Sequence, residues 1–268
     1  MAEITKTVPT QVISSTAKIA LAALAVAAYF VGLTLPLMGP DEPRYAQVAR
    51  EMFDRGDWVT PTLGGSLWFE KPVLLSWLEK IAYHIFGVNE FSARLGPALF
   101  GIGVIVCLYL LGRSIRRGSL FAAIAASTVG IIAFAHGASF DIILPLPITA
   151  SLAAYCLHHT SERPRLWLLA AYFFLGVGLL AKGLVGAIFP VGIIFFYHVV
   201  LWKRPTRFAF ESILWGGFAT LATAGVWYIP MYLRHGYYFI DQFFIQHHFQ
   251  RFTSNKYQHP GSFLFFFW

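Results

Sequence analysis

The chain has 268 residues, 57% of them hydrophobic and only 12% charged, with a net charge of +7. A soluble domain carries about 25% charged residues. Here the apolar residues come in long runs, with mean hydropathy +0.62, which excludes disorder, a coiled coil and an ordinary soluble domain and indicates an all-α integral membrane protein. The basic excess sits in short loops between the runs, where membrane topology requires it. No RNA- or DNA-binding pattern accompanies it, so nucleic acid is not expected as a partner.

In chain order, apolar runs at 18–38, 94–112, 119–137, 142–159, 166–182, 184–201 and 209–229 predict seven spans. The first, preceded by Lys6 and Lys18, is read as an uncleaved span, because it is long enough to cross a bilayer. A signal peptide cleaved near AVAA at 25–28 is the alternative. An eighth run begins near Phe263 and stops at Trp268, so the sequence is expected to be the N-terminal part of a longer protein. Cys107 and Cys156 lie inside apolar runs and are read as small buried hydrophobes rather than a disulfide or metal pair.

The loop cations fix the orientation. Arg113, Arg116 and Arg117, then Arg163 and Arg165, then Lys203, Arg204 and Arg207 occupy alternate loops, which are assigned to the cytoplasm together with the N-terminus. The other side receives two long loops, 39–93 and 230–262. The first holds eight of the 13 acids and is too patterned for a simple connector. Tyr45, Val48, Ala49, Met52 and Phe53 recur at helical spacing between Pro43 and Gly56, predicting an amphipathic helix on the membrane surface. A second is predicted from Pro72 to Phe86, with Leu75, Leu78, Ile81, Ala82 and Ile85 on one face. No internal repeat, low-complexity tract, GxxxxGK[ST], GxGxxG or HExxH occurs.

Five places in the outer loops carry chemistry. Asp41, in GPDEPRYAQVARE, stands where a span meets water; it is either a helix cap or, if Glu42 caps instead, a free carboxylate. Asp141 is either a cap for a helix starting at Ile142 or a second functional acid. In FEKP, Glu70 and Lys71 form a solvated turn or offer a phosphate ligand. Lys182 lies on the side where the topology rule disfavours lysine; it snorkels or binds an anion. QHHFQRFTSNKYQHPG, 246–261, is a basic anchor for anionic membrane lipids or gathers a phosphate and a metal through Arg251 and a histidine. Together they place carboxylates able to take a hydroxyl proton beside cations able to hold a lipid-linked phosphate as it leaves.

DEPRYAQVAREM, GDWVTPTLGG, WFEKPVLLSWL, FGVNEFSARL and the later AKG and HHFQRF segments resemble membrane glycosyltransferases that use polyprenyl-phosphate sugars. The pattern is closest to the bacterial lipid A aminoarabinose transferases and their relatives in the protein O-mannosyltransferase superfamily. The resemblance covers essentially the whole chain. It implies a multi-span GT-C-type helical bundle with amphipathic surface helices in the first outer loop, and inverting transfer from undecaprenyl phosphate to an acceptor such as lipid A or a protein, outside the cytoplasmic membrane. Asp41 would be the first catalytic carboxylate and Asp141 the second. Lys71 and Arg251, with Arg44 and Lys182, would bind the donor phosphate, and Glu70 with His248 would hold a divalent metal ion. A transporter or flippase for a lipid-linked anion is the rival, but it calls for charged or broken helices at the bilayer midplane. An inactive truncated homologue is the third possibility.

Overall fold

A computed structural model describes residues 14–202 and 204–249. Four of its helices are long and apolar enough to cross a membrane, or five if one bent pair is a single span.

The first apolar run is not one helix. Helix α1 (Ser15–Ala28) ends well short of residue 38, and turns follow through 29–35. The expected span at 18–38 is corrected accordingly, and the reason lies in helix α4 (Glu90–Arg113). Its Arg94 side chain, 2% exposed, donates to the carbonyls of Leu33, Leu35 and Pro36. Its remaining N–H groups take the Glu42 carboxylate, at 3.1 Å from Nε and 2.7 Å from Nη2. All five donors of the guanidinium are thereby filled. A continuous helix would have kept those carbonyls for itself.

Glu42 belongs to the surface helix α2 (Asp41–Asp54), which buries Tyr45, Ala46, Val48, Ala49 and Met52 as its periodicity predicts. After the two-stranded hairpin β1–β2 (Thr62–Leu63 and Ser66–Leu67) comes α3 (Leu74–Phe86). Its apolar residues do not all point inward. Leu75 and Ala82 are buried, but Ile81 and Ile85 are 48% and 66% exposed while Glu79 and Lys80 turn inward. An outward apolar side suits a helix bedded in a bilayer surface. Lys80 Nζ donates to the carbonyls of Met52 and Asp57, both at 2.8 Å, so α3 caps the C-terminal end of α2 with a cation.

The run at 119–137 is broken into α5 (Gly118–Ser127) and α6 (Val129–Ala135), bent by 62°. Thr128 at the joint is extended, and the Ser127 and Thr128 hydroxyls bond back to carbonyls of the preceding turn. Helices α7 (Phe140–Ile143) and α8 (Pro145–Leu157) form the next span, followed by α9 (Pro164–Lys182) and α10 (Val185–Val200). Helices α9 and α10 cross at Gly178 and Gly186, where a Cβ on either would collide with the backbone of the other. Helix α11 (Arg207–Ile240) runs beyond the predicted end at 229, through a kink at Gly236 (φ 56°), and continues as π-helical turns over Asp241–Phe249. Helix therefore occupies the first part of the expected outer loop at 230–262; its remainder and the eighth run lie outside the described residues. Cys107 is half-buried, Cys156 is exposed, and both are free thiols, so neither is the fully buried hydrophobe expected.

One apolar cluster unites the end of the bundle that carries α2. Tyr45, Val48 and Met52 of α2 pack with Trp68, Phe69, Leu75, Phe140, Leu180, Trp227 and Phe243. Trp227, fully buried, donates its indole N–H to the Val59 carbonyl at 2.8 Å and ties α11 to the first loop. Arg94→Leu, which strands a buried Glu42, is expected to cost about 3–5 kcal/mol, read as a lowered thermal midpoint in detergent. Arg94→Lys, with three donors for five acceptors, should fall between the two. An unchanged midpoint in Arg94→Leu would show that this pair does not hold the α2 end of the bundle together.

Candidate active site

The first turn of α2 carries Asp41, Arg44 and Tyr45. Pro40 precedes the helix, which has no side-chain cap, so Asp41 is not spent as one. Its carboxylate pairs with Arg44 Nη2 at 2.5 Å and its side chain stays 57% exposed. Glu42 does not cap either. Its carboxylate accepts the Met38 amide at 2.6 Å and the Ala138 amide at 2.7 Å in addition to Arg94. Burial alone would raise this carboxyl; Arg94 and the two amides overcome it and hold it below the usual carboxylate range.

The Ala138 contact draws the turn before α7 against α2. Ser139 caps α7 by accepting from the Asp141 amide, so Asp141 is not the cap. The Asp141 carboxylate faces Lys182 Nζ at 3.4 Å, at the C-terminal end of α9. The Tyr45 ring meets Phe140 edge-on, with centroids 4.9 Å apart, and its hydroxyl accepts from Arg44 at 3.3 Å. Burial pushes the Tyr45 phenol up; Arg44 opposes this, and the charges of Asp41 and Asp141 add to it. One phenol therefore senses both acids. Burial works against the Arg44 charge, but Tyr45, Asp41 and Glu70 outweigh it and keep the guanidinium more firmly protonated than usual.

Glu70 and Lys71 occupy a bend after the hairpin, both half-exposed. Glu51 of α2 anchors that hairpin, accepting from Thr62 Oγ1 at 2.5 Å, the Gly64 amide at 2.7 Å and the Gly65 amide at 3.2 Å. The structure thus brings together Asp41, Arg44, Asp141 and Lys182, with Glu70 in electrostatic reach of Arg44. The side chains of His248 and Arg251 lie outside the described residues. Among the described residues no group of three His, Cys, Asp or Glu side chains could hold a metal ion.

The sequence profile of the family described as dolichyl-phosphate-mannose-protein mannosyltransferase matches residues 14–247. The chain belongs to that family. It is 31% identical over 236 residues to the undecaprenyl phosphate-alpha-4-amino-4-deoxy-L-arabinose arabinosyl transferase of Shewanella sediminis, covering 84% of this chain and 42% of the relative. It is 34% identical to the enzyme of the same name from Pseudomonas aeruginosa, covering 85% and 42%. The solved structure of ArnT from Cupriavidus metallidurans bound to undecaprenyl phosphate superposes with a TM-score of 0.83 at 31% identity, covering 95% of this chain and 48% of that one. The fold is accordingly that of a multi-pass membrane transferase of the GT-C type, and the chain spans about half the length of these relatives.

Within this mannosyltransferase-family fold, three residues central to the geometry were not singled out from the sequence. Tyr45 was read only as an apolar repeat position and Glu42 only as a possible cap. Arg94 was placed at the mouth of a span, where a buried cation is itself a signal.

Glu51 gives a direct test of how the hairpin is held. Burial would raise its carboxyl, but Thr62, Gln47 and the two glycine amides bring it down to about 2 from the ordinary 4.5. Its contribution to stability is therefore present above pH 4.5 and lost as the pH falls through about 2. Glu51→Gln should be less stable than the parent at neutral pH, with the gap closing toward pH 2. A gap independent of pH, measured by thermal unfolding, would contradict the assignment.

Proposed function

We propose that the full protein transfers a sugar from a polyprenyl phosphate, undecaprenyl phosphate in bacteria, to an envelope acceptor such as lipid A or a protein. Transfer inverts the anomeric centre and takes place on the outer face of the cytoplasmic membrane. The observation that carries this reading is the convergence of Asp41, Arg44, Asp141 and Lys182 around Tyr45 at one end of the bundle. The printed names of the relatives point to the same class of donor. Orientation is supported by the basic loops, because Arg113, Arg116, Arg117, Arg163 and Arg165 lie at the opposite end of the bundle.

In this mechanism the lipid tail stays among the spans and the phosphate meets Lys71, Arg44 and Arg251. A phosphate that draws Arg44 to itself loosens the 2.5 Å pair with Asp41 and frees that carboxylate as a base. Asp41 then takes the proton of the acceptor hydroxyl. The hydroxyl oxygen attacks the anomeric carbon from the face opposite the phosphate. As the new carbon–oxygen bond forms, the bond to the phosphate oxygen breaks. Its electron pair leaves with the polyprenyl phosphate, where the cations stabilise it. Asp141 orients Lys182 at the edge of the same site. Glu70 and His248 are kept as candidate metal ligands.

The transport alternative looks for charge at the bilayer midplane. Among the described residues the span broken into two helices, α5–α6, carries hydroxyls at its break and no ionisable side chain, which favours the enzyme. In purified full-length protein, Asp41→Asn should lower the transfer rate by about 10²–10⁴-fold while retaining binding of the polyprenyl phosphate. Lys71→Ala should instead raise the donor KM. Transfer at the parent rate by Asp41→Asn would sink the mechanism.

A further inference from the structure

Glu79 of α3 is fully buried, and neither of its carboxyl oxygens has a hydrogen-bond partner among the described residues. It lies where α3 is wedged between α2 and α4. Tyr83, one turn further on, donates to the Ala46 carbonyl of α2 at 3.4 Å. On the other side Leu78 fills the space that a Cβ on Gly96 of α4 would need. Ala46, Ala49, Tyr83, Ala93 and Ala138 form the small apolar core of this wedge.

An ionised carboxylate in such a place needs a donor or a counter-charge, and among the described residues no donor reaches either oxygen. Of the charged and titratable groups on the elements around it, Glu42 of α2 acts on Glu79 itself, and Arg50 of α2 and Glu90 of α4 act on its neighbour Tyr83; Lys80 and His84 share its own helix, and α4 also carries Arg94. Asp141 of α7 and Lys182 of α9 stand on the other elements that touch α3. Arg94 has spent all five donors on Glu42 and three carbonyls. Lys80 Nζ is committed to two carbonyls and faces the Trp58 ring at 4.3 Å. Lys182 is paired with Asp141. Burial, and then the Glu42 charge, push the Glu79 carboxyl well above the ordinary carboxylate range.

We propose that Glu79 is a positioning residue whose proton is a working part of the site: α2 keeps its catalytic placement only while Glu79 is neutral. When the proton passes to solvent, a second anion appears beside Glu42 in a wedge with no free donor. The strain is relieved either by drawing Arg94 away from Glu42 or by levering α3 off α2 to admit water. Both movements displace the turn that carries Asp41, Arg44 and Tyr45. Reprotonation restores it, so the loss is reversible.

The effect on catalysis rests on the proposed transferase activity; the protonation state does not. The experiment uses the full-length protein, its Glu79→Gln variant, which mimics the neutral acid, and Glu79→Leu, which can never ionise. Infrared difference spectra in heavy water should show a protonated-carboxyl carbonyl band at neutral pH in the parent, titrating on the alkaline side and missing from both variants. Each transfer rate is normalised to that protein's own value at neutral pH. The parent rate should fall about tenfold per pH unit above that transition, through kcat rather than KM, and the variants should lack this limb. If no transfer is detected at all, thermal unfolding still decides. An acid with a raised folded-state pKa loses its stabilising contribution as pH climbs above 4.5 toward that value. The parent should therefore lose stability relative to both variants over that range. Absence of the carboxyl band at neutral pH, or the same alkaline limb in all three proteins, overturns the proposal. If Glu79→Gln does not fold, the comparison is read from Glu79→Leu.

Discussion

The ion pair between Arg94 and Glu42 is the constraint on which the α2 end of this protein depends. An arginine at the mouth of a membrane span is expensive to bury, and here its cost is met by filling every donor. Three of those donors reach carbonyls of the segment after α1, which must leave helical geometry to supply them. The other two hold a carboxylate that also accepts amides from residue 38 and residue 138. Three stretches far apart in sequence, residues 33–42, Arg94 and Ala138, are thereby fixed at one point. Asp41 precedes Glu42 directly, and Asp141 lies one short turn after Ala138. The geometry between the two acids follows from a group that touches neither of them.

Around that point the molecule separates two kinds of work. The spans meet through small residues and aromatic rings and leave large apolar side chains such as Leu214, Phe218 and Leu221 outward, 69–86% exposed. Such surfaces suit lipid or further protein. The polar chemistry is gathered where the spans end. There α2 lies with its apolar side inward and its charged side outward, while α3 turns Glu79 and Lys80 inward and Ile81 and Ile85 outward. Lys80 fastens one end of α2 and Glu42 the other, so the helix bearing the candidate base is held at both termini. The hairpin hung from Glu51 delivers the Glu70–Lys71 bend to the same surface.

Much of this was legible in the sequence, for identifiable reasons. Helix α2 lies at a surface with water on one side, so its apolar period reports burial directly. Helix α3 shows the limit of that logic. Beside a bilayer, apolar residues such as Ile81 and Ile85 face outward while Glu79 and Lys80 turn in, and periodicity alone cannot tell lipid from core. Hydropathy found the spans but not their breaks. The runs 18–38 and 119–137 are apolar throughout, and what interrupts them is hydrogen bonding, by Arg94 in one case and by the Ser127 and Thr128 hydroxyls in the other. Asp41, Asp141 and Lys182 were singled out by charge in apolar surroundings. Asp41 and Arg44 pair within one turn of α2, but the pairing of Lys182 with Asp141, 41 residues apart, and the packing of Tyr45 on Phe140 are contacts that local pattern does not encode.

The most direct test of the account is a structure of the full-length protein with a polyprenyl phosphate bound. The phosphate should lie against Lys71 and Arg44, on the Asp41 side of α2, with Lys182 and Asp141 at its edge. A phosphate seated at the opposite end of the bundle, among Tyr155, His158 and His198, would contradict the site described here.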